Sequence, residues 1–214
     1  LSEEAKGYVT KLSTLTSAES ALATLKSNVS AVQTDITNIG TVSLSNTVID
    51  KAKTARTSYN ALSTSELKNA VSNYSTLTSA EAKLGELLST KISGISTVTL
   101  SDATVIADCE AFYSRFNSQM KDKVTNYSTL TAARTELTRL QGLVTSVETD
   151  ITNIGTVSLT NAIIDKVKTA RTNYAALSTT ELKNAVSNYS TLTAAEAKLG
   201  ELISNKIGTI GTVT

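Results

Sequence analysis

The sequence predicts an all-α protein: tandem three-helix-bundle repeats joined by short extended segments and drawn out as an elongated rod. Three observations carry this. An isoleucine placed two residues before a Thr-Val-Ser/Thr tract recurs at Ile39, Ile95, Ile154 and Ile210, at spacings of 56, 59 and 56 residues. Self-similarity at such a period marks an array of supersecondary units. Between these tracts the apolar residues step by three and four, the period of a helix with one buried stripe. The chain has no proline and no Gly/Ser run, so flexible tethers between units are not expected.

The copies are close. Residues 35–44 and 150–159 are the same ten letters, and residues 66–78 match residues 181–193 throughout. Both matches are offset by 115, which points to duplication of a two-unit block. The expected segments are a truncated helical repeat at 1–39, three-helix repeats at 40–95, 96–154 and 155–210, and the start of a further repeat at 211–214. On this reading the chain is an excerpt of a longer protein.

The first long helix shows the cleanest pattern. Ala18, Leu22, Leu25, Val29, Val32, Ile36 and Ile39 step by 4, 3, 4, 3, 4 and 3, and Ala133 to Ile154 repeat the series. This is a heptad seam of about three heptads, running from Ser17 to Asn38 over ~33 Å. The other two helices of its unit are the expected partner; a neighbouring chain is the alternative. Next comes Gly40-Thr41-Val42-Ser43-Leu44. The glycine can end the helix in a left-handed conformation. The alternation that follows has period two, so this joint should be extended with one face buried.

A helix from Asn46 to Leu62 follows, with Val48, Ala52, Ala55, Tyr59 and Leu62 on one stripe. A second helix is expected to open at Ser63, with Glu66 completing a capping box, and to turn Leu67, Ala70, Val71 and Tyr74 inward. A third is expected to open at Thr78 with Glu81 as its capping partner and Leu77 as hydrophobic staple, continuing inward through Ala80, Leu84, Leu87 and Leu88. In the 96–154 segment, Val105, Cys109, Phe112 and Phe116 align with Val48, Ala52, Ala55 and Tyr59. The connection to its next helix is about four residues shorter than in the other copies.

Composition narrows the function. A hydrophobic content of 40% with 18% charge is ordinary for folded protein. A net charge of +1 argues against nucleic acid as a partner, since that needs a basic face. No apolar run is long enough to predict membrane insertion. A surface rich in serine and threonine and poor in charge suits a protein held outside the cell. The lone cysteine, Cys109, falls on the buried stripe and reads as a small core hydrophobe.

Chemistry is sparse. Histidine is absent, which removes the commonest general base and metal ligand. One cysteine cannot build a zinc site, and no phosphate-binding glycine loop or nucleophile elbow occurs. No catalytic, cofactor-binding or metal residues are therefore assigned, no cofactor is expected, and the chain is not expected to be an enzyme. Tyr74, Tyr127 and Tyr189, with Tyr59 and Tyr174, read either as an exposed aromatic platform or as core-edge residues with wet hydroxyls; their spacing favours the second. Asn73-Tyr74-Ser75 and its copies also match the glycosylation sequon. Asp50 and Arg56, six residues apart, do not face each other along a helix and read as solvated charges, unless Arg56 reaches a neighbouring unit.

Gly-Thr-Val-Ser-Leu, Ala-Arg-Thr-Ser-Tyr-Asn-Ala-Leu and Lys-Asn-Ala-Val-Ser-Asn-Tyr-Ser-Thr-Leu together resemble a helical tandem repeat of large surface and secreted proteins of Gram-positive Firmicutes. The resemblance covers the whole chain; residues 103–124 depart from it. It implies an extracellular place, at the cell surface or in the cell wall, and a non-catalytic stalk or spacer that projects or links other domains. An adhesin-type module that binds a host or matrix protein through a helix face is the alternative. The expected partners are neighbouring repeats of the same chain, and a monomer is expected.

Overall fold

A computed structural model describes residues 2–7 and 11–210. The stub at 211–214 lies outside the described residues. Among those described, all regular structure is helical, as the periodicity predicts. The elements are α1 (Glu3–Gly7), α2 (Leu12–Thr37), α3 (Asn46–Asn60), α4 (Ser65–Asn69), α5 (Tyr74–Ser93), a 3-10 turn (Leu100–Asp102), α6 (Ala103–Arg115), α7 (Ser118–Lys121), α8 (Tyr127–Thr152), α9 (Asn161–Ala176), α10 (Thr180–Asn184) and α11 (Tyr189–Gly208). The chain divides into two compact units: residues up to Gly94 with Ala107–Leu130, and Ile95–Ile106 with the residues from Thr131 onward.

In the first unit α2 packs on α3, α4 and α5, and α5 packs on α3 and α7. Its core draws on Val29, Val32 and Ile36 of α2, Ile49, Ala52 and Ala55 of α3, and Leu77, Ala80, Leu84, Leu88 and Ile92 of α5. In the second unit Leu140, Val144, Val147 and Ile151 of α8 meet Val167 and Ala170 of α9, Leu182 of α10 and Leu192 and Ala195 of α11. Val98 and Leu100 pack against this cluster as well.

Several expectations hold locally. Gly40 and Gly155 end their helices at φ 66° and 65°, the left-handed region that favours glycine. Ile39 and Ile154 are buried just before them. Val42, Leu44 and Val157 are half-buried, whereas Leu159 is exposed. Cys109 is fully buried, and burial pushes its thiol pKa up.

Other expectations are corrected. The second helix expected of each repeat is a single turn: α4, α7 and α10 hold 5, 4 and 5 residues. Its N-cap is Thr64, not Ser63, because the Thr64 hydroxyl accepts from Leu67 N at 3.3 Å; Asn117 and Thr179 do the same for α7 and α10. The third helix begins at Tyr74, four residues before Thr78. Thr78 is inside it and donates back to Ser75 O, Leu77 is core, and Glu81 is buried instead of capping. The stripe of α3 is centred on Ile49, fully buried, with Val48 only half-buried.

The heptad seam of α2 is filled only in its second half. Leu15, Leu22 and Leu25 are 55%, 51% and 39% exposed, while their copies Leu130, Leu137 and Leu140 are 1%, 1% and 8% exposed.

Candidate functional site

The same polar cluster is built twice from residues 115 apart. In the first unit the α3 residue Arg56 faces α5. Its Nε donates to Glu81 Oε1 at 2.9 Å and its Nη2 donates to Glu81 Oε2. Its third prong, Nη1, reaches the Tyr74 hydroxyl at 3.1 Å. The Tyr59 and Tyr74 rings stack with centroids 4.2 Å apart, and the guanidinium carbon lies 5.6 and 5.3 Å from them. A planar fork of donors matches a carboxylate on two points, which the single ammonium of lysine cannot do, and also lies over aromatic faces. The Glu81 hydrogen bonds hold the Arg56 pKa well above its ordinary value. Arg56 therefore carries a permanent charge that is paired within its own unit. It is neither a solvated charge nor a link to another unit.

The second unit repeats this. Arg171 donates through Nε to Glu196 Oε1 at 2.6 Å, through Nη2 to Oε2, and through Nη1 to the Tyr189 hydroxyl at 3.2 Å. Tyr174 and Tyr189 stack at 4.3 Å. Residues 103–127 depart from the pattern. Under the alignment set by Cys109, Tyr113 stands in the place of Arg56, and its ring stacks on Tyr127 at 3.8 Å. Tyr59, Tyr74, Tyr174 and Tyr189 are thus core-edge groups spent on ring stacking and on the arginine, whereas Tyr127 stacks on Tyr113 but is 42% exposed.

A second device is repeated three times. The asparagine before each third helix turns its amide onto the preceding long helix. Asn73 Nδ2 donates to Gln33 O at 2.9 Å and Thr37 Oγ1 at 3.3 Å. Asn126 Nδ2 donates to Ser89 O and Ser93 Oγ, both at 2.9 Å. Asn188 Nδ2 donates to Glu148 O at 2.9 Å and Thr152 Oγ1 at 3.2 Å. Each clamp fixes the start of one helix against the last turns of another. Both amide protons are engaged, so in the fold these sequons offer no free acceptor nitrogen.

In the first unit, residues 107–130 pack beside this cluster. Arg115 donates to Asp50 through Nε at 2.9 Å and Nη2 at 2.7 Å, so Asp50 is paired and not simply solvated. This bond holds the Asp50 carboxyl below its ordinary pKa. Asn117, the N-cap of α7, also donates to Glu81 Oε1 at 3.1 Å. Beneath α7 lies Gly85, where a Cβ would fall 2.4 Å from Lys123 Cβ and 2.9 Å from Met120 O.

Among the described residues no group of histidine, cysteine and carboxylates is placed to hold a metal ion. The groove lined by Ile39, Gly40, Val42, Ala80, Lys83 and Glu86 holds one ion pair, Lys83–Glu86 at 3.4 Å, and both of its side chains are more than half exposed. Among the described residues no helix is long and apolar enough to cross a membrane. Sequence reasoning missed both the Arg–Glu–Tyr cluster and the asparagine clamps; their recurrence at an offset of 115 was the available signal. The chain matches no family model, no curated protein and no solved structure.

Proposed function

We propose that the chain is a non-catalytic structural repeat region, a stalk or spacer of a large bacterial surface or secreted protein that projects or links functional domains. The observation that carries this reading is the exact-register recurrence of one device. Arg56, Glu81, Tyr59 and Tyr74 return as Arg171, Glu196, Tyr174 and Tyr189 with the same hydrogen bonds. The arginine forks, the glutamate carboxylates and the Tyr74 and Tyr189 hydroxyls are spent on one another. A group repeated with its packing partners serves the repeat; a reaction needs one site with unsatisfied groups. The extracellular setting rests on the resemblance of the repeat motif.

On this reading successive three-helix bundles stack as a semi-rigid rod whose stability adds unit by unit. Small-angle scattering of the isolated chain tests it. The expected distance distribution is skewed, with a long tail; a compact, near-spherical profile would overturn the spacer.

A further inference from the structure

In the first unit, α3 and α5 present a face that residues 107–126 cover. Asp50 takes the Arg115 fork, Glu81 takes the Asn117 amide, and Ser89 takes Asn126 Nδ2 on its carbonyl and Thr125 N on its hydroxyl at 3.1 Å. Gly85 lets the backbone at Met120 and Lys123 approach, and Met120 itself is fully buried. Under this cover Leu88 and Ile92 are fully buried, and the side chains of Arg56 and Glu81 are 8% and 3% exposed.

The second unit carries the same face uncovered. Asp165, Glu196, Gly200, Ser204, Ile203 and Ile207 stand 115 residues after Asp50, Glu81, Gly85, Ser89, Leu88 and Ile92. Ile203 and Ile207 are 46% and 62% exposed. The Arg171 and Glu196 side chains are 35% and 33% exposed. Asp165 is exposed and makes no ion pair among the described residues. A Cβ on Gly200 would meet nothing within 4 Å. Glycine inside a helix is unfavourable, and at Gly85 its cause is the close backbone above it. At Gly200 no such backbone lies above it among the described residues.

We propose that this α9–α11 face is a preformed docking socket for a further repeat unit whose segment has the chemistry of residues 107–126. That segment would place an arginine on Asp165, an asparagine N-cap on Glu196 and a slim apolar side chain beside the backbone contact at Gly200. Charge and shape complementarity both come from the covered copy of the face. The chain's own 107–126 segment is already engaged at Gly85, so a second copy of the chain has none to offer. The partner's identity as a repeat unit rests on the spacer reading.

The test extends the chain, following residue 210 with a copy of residues 96–154, and compares its amide hydrogen exchange with that of the 214-residue chain. Residues 203–210 are expected to exchange at least about tenfold more slowly in the extended chain. Gly200→Ala made in both chains, or the change equivalent to Met120→Asp in the appended copy, is expected to abolish the slowing of the extended chain relative to its 214-residue counterpart. Equal exchange in both chains, or slowing that survives Gly200→Ala, would overturn the socket. So would slowing that appears in the 214-residue chain as its concentration rises, since that would make a second copy the occupant. Scattering on the same samples separates the two ideas: elongation without protection removes the socket and keeps the spacer, while a compact parent chain with protection does the reverse.

Discussion

Arg56 and Glu81, 25 residues apart on two helices, form a two-pronged ion pair whose side chains are only 8% and 3% exposed. Its copy, Arg171–Glu196, is about one-third exposed. Removing one member of a buried pair strands the other charge, whereas replacing both with apolar residues is often nearly neutral. Arg56→Ala is therefore expected to destabilise the first unit by about 3–5 kcal/mol. Arg171→Ala should cost roughly 1 kcal/mol or less beyond its lost packing, because solvent screens the exposed copy. Urea denaturation of both variants, and of an Arg56→Met, Glu81→Leu double variant that should recover most of the loss, checks this.

Gly85 and Gly200 occupy the same helical position, yet alanine should act on them with opposite sign. At Gly85 the new methyl meets backbone atoms 2.9 Å away. Overpacking of about 1–3 kcal/mol then outweighs the helical gain. At Gly200 only the gain of roughly 1 kcal/mol remains, so the melting temperature of Gly200→Ala should rise by about 2–4 °C. Calorimetry on the two single variants decides it.

The asparagine clamps should be worth more than their local sequence suggests. Asn73→Ala removes one donor from Gln33 O, which keeps the Thr37 hydroxyl, and one from Thr37 Oγ1, at a cost of about 0.5–1.5 kcal/mol. Asn73→Asp should be worse, since it turns a carboxylate onto a carbonyl oxygen. Thermal melts of both, with Asn188→Ala as the matching change in the second unit, provide the comparison.

Acid sensitivity should include a contribution from Asp50. Its folded pKa lies below the ordinary 3.8 because Arg115 bonds to the carboxylate. A depressed carboxyl contributes stability above its unfolded pKa and loses it as pH falls through the folded value. Between about pH 5 and pH 2 the native chain should lose more stability than Asp50→Asn does. Melting temperatures across that range measure the difference.

Tyr59 and Tyr174 should ionise late. Burial comes first among the causes, with the stacked tyrosine second, and both raise each pKa above 10.0. A raised folded pKa means that this contribution to stability is complete below the unfolded value and is lost as pH rises through the folded one. An ultraviolet titration should show a late tyrosinate component that disappears in a Tyr59→Phe, Tyr174→Phe variant.

Much of the fold was legible in the sequence. The 3–4 stepping of α2 and α8, the glycine corners at Gly40 and Gly155 and the buried Cys109 are set by neighbours within a turn or two. Glu81 was misread for the opposite reason. A threonine three residues before a glutamate is the local mark of a capping box, but Arg56 draws that carboxylate inward from another helix. The clamps were equally hidden: Asn73 meets Gln33 across 40 residues, and nothing beside Asn73 in the chain names its partner.

The sequence by itself determined that the chain is helical, that its motifs recur and where two of the corners turn, because periodicity and glycine act through short-range sterics and the burial of one stripe. Only the tertiary structure decided which charges are buried, which asparagines clamp and which apolar faces stay open. Those outcomes depend on helix-to-helix register, where two copies with the same letters, Gly85 and Gly200, meet a packed turn in one place and open space in the other.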